Sequence, residues 1–217
     1  MAIIGNTNLW ADFFPNDLIP DILNMVIDVW DSFTKPKYDD HEVDITTRFR
    51  SHLEHYKDLK MLPFRIDREV SIDDLTTATE RGRIDLRLTH GYRSDVYFAF
   101  ECKRLNISVT SKKTGRTNIS SLAGEYVLNG MTRFVGSEPQ YAIGLKQGGM
   151  IGYVMNGKTD TAITAVNKQV KDNYIDLQMK SPNGLNLSSR LTNKFLKESL
   201  HYLPNQEFTI HHVFLPV

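Results

Sequence analysis

The chain has 217 residues, with 26 Lys and Arg against 26 Asp and Glu, 41% apolar and 24% charged residues. That composition belongs to a globular protein and excludes a disordered or fibrous chain, while zero formal charge neither demands nor forbids a polyanionic partner. Cys102 is the single cysteine, which excludes an intrachain disulfide and a thiolate metal cluster. With no apolar run near the ~20 residues of a membrane span, a cytoplasmic protein without an anchor is expected.

The first periodic segment, NDLIPDILNMVIDVWDSF, places Leu18, Ile22, Met25, Val26, Val29 and Phe33 at helical spacing, with Asn16 as its N-cap. A second helix is expected over HEVDITTRFRSHLEHYKDL, with Val43, Phe49, Leu53 and Tyr56 on one face and Asp39 or Asp40 as cap. Three strands follow: FRIDREVSI at 64–72, RIDLRLTH at 83–90 and DVYFAFECKRL at 95–105. Gly91 supplies the turn that joins the last two as an antiparallel hairpin. The polar, basic run NISVTSKKTGRTN reads as an exposed loop, and a helix is expected from about Ser120 to Val135. QYAIGLKQGGMIGYVMNG gives one or two strands broken at Gly148 and Gly149, and TAITAVNKQVKDNYIDLQM gives a helix. The final segment reads as a short helix over LTNKFLKESLHYL and a strand over FTIHHVFLPV.

Why should the most apolar strand end in two charges? Side chains alternate faces along a strand, so Phe98, Phe100 and Cys102 point one way and Glu101 and Lys103 the other. In the preceding strand Ile84, Leu86 and Leu88 share a face, leaving Asp85 opposite with Arg83 and Arg87. Pairing the strands through their apolar faces brings Asp85, Glu101 and Lys103 to one side. Two carboxylates are the hard oxygen donors that Mg²⁺ or Mn²⁺ takes, and a lysine beside them can orient a water, which is phosphodiester hydrolysis chemistry.

The order helix, three strands, helix, strand, with ID in the second strand and ECK in the third, resembles the PD-(D/E)xK, or restriction-endonuclease-like, nucleases. The likeness implies an α/β fold in one domain, 1–217, with an αβββαβ core and mixed sheet at about 40–155, an N-terminal helical addition at 1–38 and a C-terminal helix-strand extension at 156–217. It implies Asp85 and Glu101 as metal ligands for Mg²⁺, with Mn²⁺ as substitute, Lys103 as the catalytic lysine, and the Cys102 backbone carbonyl as a further ligand. Glu42 would complete the set from the first core helix, with Glu54 as second choice. Ile84 stands where the literal motif has proline. The continuation EYVLNGMTRFVGSEPQYAIG is similar to small nucleases of bacterial defence, which implies DNA before RNA as substrate and a homodimer or a defence-complex protein as partner. Arg104, Lys112, Lys113 and Arg116 would meet phosphates, and Glu125, Tyr126 and Arg133 share the helix that faces the cleft, Tyr126 as packing.

Other motifs compete. GYVMNGKT at 152–159 fits the phosphate-loop pattern with Gly152, Gly157, Lys158 and Thr159, yet Tyr153 to Asn156 read as a strand exit. His201, His211 and His212 suggest zinc, but neighbouring strand residues face opposite ways, so His211 and His212 cannot share an ion. Ser199 with His201 lacks an aspartate partner for a hydrolase triad.

Overall fold

In a computed structural model of the chain, residues 14–74, 79–91, 95–110, 117–137, 141 and 145–217 are described. Helices α1 (Ile19–Ser32), α2 (Glu42–Leu59), α3 (Thr132–Val135) and α4 (Thr159–Asp172) pack around strands β1 (Phe64–Asp74), β2 (Thr79–His90), β3 (Tyr97–Leu105), β6 (Gln147–Val154), β7 (Asn186–Leu187), β8 (Leu196–Leu203) and β9 (Gln206–Pro216). These strands form one seven-stranded mixed sheet in the order β1-β2-β3-β6-β9-β8-β7, while β4 (Ile107–Thr110) and β5 (Thr117–Ser120) make a separate ribbon. The fold is α/β. No described helix is long and apolar enough to cross a membrane.

β3, β6 and β9 run parallel to one another at the sheet centre and are buried on both faces, which explains their nearly unbroken apolar runs. One face carries Phe98, Phe100, Cys102, Ile151, Tyr153, Val213 and Leu215 against α1 and α2. On the other, Ala99, Met150, Val154, Ile210 and Phe214 pack with Tyr126, Phe134 and Val166 from the covering helices. Alternation at period two decides which residue goes where.

Several expectations are corrected. Asn16 does not cap α1: it opens a 3-10 turn, Asn16–Leu18, and its side-chain oxygen accepts from Gln147 Nε2. Asp40 likewise leaves the α2 cap to His41, accepts the Lys37 amide at 3.0 Å and pairs with Arg48. The buried face of α2 is Ile45, Thr46, Phe49 and Leu53, and Val43 is exposed. The basic run after β3 is an antiparallel β4–β5 hairpin on the described side of its tip, because Ile107 and Val109 pair with Ser120 and Asn118. The helix before β6 begins as a π-helical segment, Glu125–Met131, continued by α3.

β6 runs unbroken through its glycines. A Cβ at Gly148 would fall 2.5 Å from the Phe134 ring and one at Gly149 2.2 Å from the Phe100 ring, so each glycine is the hollow into which an aromatic of the core settles. Gly149→Ala would drive Phe100 off its rotamer and should cost about 1–3 kcal/mol, read by urea unfolding. A smaller loss would mean that the ring moves aside freely.

The C-terminal extension is a helix followed by strands, not a helix-strand pair. LTNKFLKESLHYL, expected as a short helix, ends in β8, hydrogen-bonded along its whole length to β9, although Leu196, Leu200 and Leu203 are also spaced for a helix. The helical spacing of three leucines lost to a ladder of backbone bonds with a neighbour already in place.

β2 is also less regular than its alternation suggests. Leu86 and Leu88 pack on the α1–α2 face, whereas Ile84 joins the opposite cluster. The change of face falls at Asp85. Opposite it, between Arg68 and Val70, whose register with β2 is the same on both sides, Glu69 takes a left-handed φ of 49°, a conformation costing an ordinary residue about 1–2 kcal/mol.

Candidate active site

The β2–β3 ladder closes Leu86 on Phe100 and ends there, while β3 continues beside β6 from Phe100 to Leu105. One more step would set Asp85 against Glu101. Instead the strands part, and the Asp85 side chain enters the gap, accepting the Cys102 amide at 2.7 Å through Oδ2. A parted strand leaves an orphan N–H, and a carboxylate at the fork satisfies it.

Glu101 points to the other face from Phe100 and is fully buried, with 0% side-chain exposure. Its Oε1 accepts from Lys103 Nζ at 2.7 Å, and its Oε2 accepts from Arg133 Nη1 and from the Tyr141 hydroxyl, both at 3.0 Å. Lys103 Nζ also donates to Glu42 Oε1 at 3.2 Å and to the Cys102 carbonyl at 2.9 Å. The other oxygen of Glu42 accepts the Arg104 amide at 3.0 Å, which fixes α2 to β3 at this point. Gly130 makes room for Met150 beside the lysine stem: a Cβ there would meet Met150 Cε at 2.5 Å, while Lys103 Cγ would be in ordinary contact at 3.7 Å.

Burial raises both carboxyls, against different opposing groups. Burial pushes the Asp85 carboxyl up to about 7, and the Glu101 charge adds to the push against the Cys102 amide and Lys103. Glu101 is also raised by burial, but Lys103 and Arg133 oppose the rise with charge and hydrogen bonds. Burial would lower the Lys103 ammonium; Glu101 and Glu42 outweigh it and hold the group above its ordinary value. Lys103 is therefore a donor at neutral pH, not a base.

The site therefore contains Asp85, Glu101, Lys103, the Cys102 backbone and Glu42, with Arg104 beside them. The Cys102 side chain lies in the core, where Tyr153 donates to its sulfur at 3.7 Å. Glu54 lies elsewhere on α2, accepting the Ile66 amide at 3.2 Å. Lys112, Lys113 and Arg116 fall outside the described residues. Tyr126 is buried and hydrogen-bonded to His212, as its packing role requires. Arg133 proves to touch Glu101 directly, and Tyr141, which no sequence pattern marks, completes the enclosure.

The chain matches no protein-family model, no curated protein and no solved structure.

Can these residues hold a divalent cation? Among the described residues no three His, Cys, Asp or Glu side chains are grouped as a ready metal cluster. A cation is nevertheless enclosed by oxygen: Glu42 Oε1, Glu101 Oε1 and the Cys102 carbonyl surround the Lys103 ammonium at 2.7–3.2 Å. Two carboxylates and a carbonyl are the hard donors that Mg²⁺ and Mn²⁺ accept, with water filling the remaining positions. The Glu42, Glu101 and Cys102 oxygens are of the kind such an ion takes, while Asp85 is turned to the Cys102 amide beside them. The mouth of the site is an open cleft of about 470 Å³ whose walls include Glu42, Lys103, Arg104 and Arg133.

The rival phosphate loop does not form. Gly152 and Tyr153 are paired in the middle of β6 on both sides, leaving too short a loop to wrap a phosphate. Its amides are also spent internally: Gly157 donates to the Val154 carbonyl, Thr159 to the Gly157 carbonyl, and Lys158 to Asn156 Oδ1. The cradle needs those N–H groups free.

Proposed function

We propose that the protein is a divalent-metal-dependent nuclease of the restriction-endonuclease-like kind, hydrolysing phosphodiesters in DNA before RNA. The observation that carries this reading is the fork between β2 and β3, where Asp85 caps the Cys102 amide and Glu101, Glu42 and the Cys102 carbonyl converge on one cation beside an open cleft. The order of α2 to β6, helix, three strands, helix, strand with the β4–β5 ribbon inserted after the third strand, supports the same reading.

Mg²⁺ held by Asp85 and Glu101, with the Cys102 carbonyl and Glu42 as further donors, would supply Lewis-acid stabilisation of phosphate charge and a more acidic water. The chain's own part is positional. Lys103, kept protonated by the two glutamates, donates to a water or to a phosphate oxygen and so orients the attack in line with the leaving oxygen. Lys103, Arg133 and Tyr141 donate to Glu101 in a dry pocket and oppose the rise that burial gives its carboxyl. Arg104 at the cleft wall meets the nucleic acid backbone. Cutting both strands together takes a second copy, and a homodimer or a partner in bacterial defence belongs to the same reading.

The test is incubation of single- and double-stranded DNA and RNA with Mg²⁺ or Mn²⁺. Cutting should vanish with EDTA and persist in Lys158→Ala within about twofold, since Lys158, at the start of α4, does not line the cleft. Loss of cutting in Lys158→Ala with Asp85→Ala unaffected would move the activity to the GYVMNGKT segment and end this reading.

A further inference from the structure

We infer that Arg133 grips a backbone phosphate of the substrate with one edge of its guanidinium while the other edge holds Glu101. The inference rests on the nuclease reading and names a contact for its substrate.

The hydrogen bonds of this side chain are lopsided. Arg133 Nη1 donates to Glu101 Oε2 at 3.0 Å, to the Arg83 carbonyl at 3.2 Å and to the Tyr141 hydroxyl. Two N–H bonds thus serve three acceptors. Nε and Nη2 carry the remaining three N–H groups and have no partner among the described residues, and the side chain is 31% exposed on the cleft wall. Were these nitrogens buried without partners, desolvation would be a large cost. They are instead presented to the cleft that opens over the Lys103 ammonium.

The free Nε–Nη2 edge is the planar fork that matches two oxygens of a phosphate, and the anchored Nη1 keeps that fork from swinging. Side-chain entropy that a surface arginine loses on binding is already lost here. Arg104 lies on the same cleft, with its Nη1 given to the Asp40 carbonyl at 3.0 Å. Lys103 lies with them in the lining, so the cleft has three cationic groups for a polyanionic strand. Tyr141 is 0% exposed and offers nothing to the cleft: its hydroxyl lies among Glu101, the Arg83 carbonyl and Arg133.

The experiment compares Arg133→Lys, Arg133→Gln and Tyr141→Phe with wild type. Binding of fluorescein-labelled single- and double-stranded oligonucleotides is followed by anisotropy across a salt series in Ca²⁺, and cutting is followed in Mg²⁺, with thermal melts to establish folding. Arg133→Lys keeps a charge near Glu101 but lacks the fork, so affinity should fall about tenfold with the salt slope retained. Arg133→Gln should lower the slope by about one unit as one phosphate contact is lost. Tyr141→Phe should bind within twofold of wild type while its cutting falls. If folded Arg133→Lys and Arg133→Gln bind with wild-type affinity and slope, the phosphate contact is overturned, and a wild type that still cuts leaves the nuclease reading standing. A wild type that neither binds nor cuts any of these substrates overturns both.

Discussion

Lys103→Met should abolish cutting and, at the same time, tighten the binding of a divalent cation. The two effects share one cause. The ammonium that orients water or phosphate also sits among the oxygens a metal would use, at 2.7 Å from Glu101 and 3.2 Å from Glu42. Removing a preorganised donor from the reacting centre lowers kcat by about 10²–10³-fold. Removing a unit positive charge at about 4 Å from a divalent cation relieves a repulsion on the order of 8 kcal/mol at an effective dielectric near 20, so a gain in Mn²⁺ affinity of at least about tenfold is expected even after relaxation. Without metal the variant should melt earlier, because breaking a buried ion pair leaves Glu101 with less counter-charge. Added Mn²⁺ should restore its melting temperature more than it raises that of wild type. Titration calorimetry and melting with and without MnCl₂ read both effects; equal Mn²⁺ affinity in the two proteins would mean that the ammonium does not compete for the cation.

The second large effect concerns the buried histidines. His201 Nδ1 lies 2.7 Å from the Leu177 carbonyl and must carry the proton, so its Nε2 accepts from the Ser199 hydroxyl at 2.7 Å. Ser199 Oγ then accepts from His212 Nε2 at 2.9 Å, and His212 Nδ1 accepts from the Tyr126 hydroxyl at 3.0 Å. One proton order satisfies every member, with both rings neutral. Ser199→Ala removes two bonds and strands two imidazole nitrogens in a dry interior, a loss of about 2–4 kcal/mol in urea unfolding at pH 7.5. Ser199→Thr retains the hydroxyl and should recover part of it.

Acid acts on the same groups. Burial lowers His201 to about 4 despite its bond to Leu177, lowers His211 to about 4 with help from the Arg190 charge, and lowers His212 further. A histidine depressed in the folded state binds protons first when unfolded, so its stabilising effect is complete above the unfolded value near 6.5 and is lost as pH falls toward 4. Asp85, raised to about 7, works in the opposite sense: its contribution is present below its unfolded value and lost as pH rises through 7. A difference measurement separates them. His211→Leu removes a buried ring whose Nδ1 has no partner among the described residues, and its stability relative to wild type should grow by about 2 kcal/mol between pH 7 and pH 5. A constant difference across that range would mean that His211 titrates normally.

The sequence was legible where one physical pattern acted alone. DVYFAFECKRL places its apolar and charged residues on opposite faces by alternation, and that is how Phe100, Glu101, Cys102 and Lys103 lie. Glu42 could be anticipated from its place at the start of α2. Tyr141 could not, because it reaches Glu101 from a stretch without periodicity, where only the tertiary path of the chain decides the contact. Ile84 was misassigned because alternation assumes regular extended backbone, and across from the change of face Glu69 takes a left-handed φ. β8 was misread because leucines at 196, 200 and 203 satisfy a helix as well as a strand, and only its neighbour β9 arbitrates. Gly148 and Gly149 look like breaks in a list of residues but are receptacles once the facing aromatics are known.

The position of β9 bears on how the molecule is made. Residues 206–216 form the strand between β6 and β8, so the hydrogen-bonding edge of β6, at 147–154, waits for a partner more than fifty residues downstream. During synthesis at ~5–20 residues per second that interval lasts several seconds, with an apolar edge open on the emerging polypeptide. A ribosome-tethered fragment ending at residue 200 should accordingly recruit chaperones that the finished protein does not.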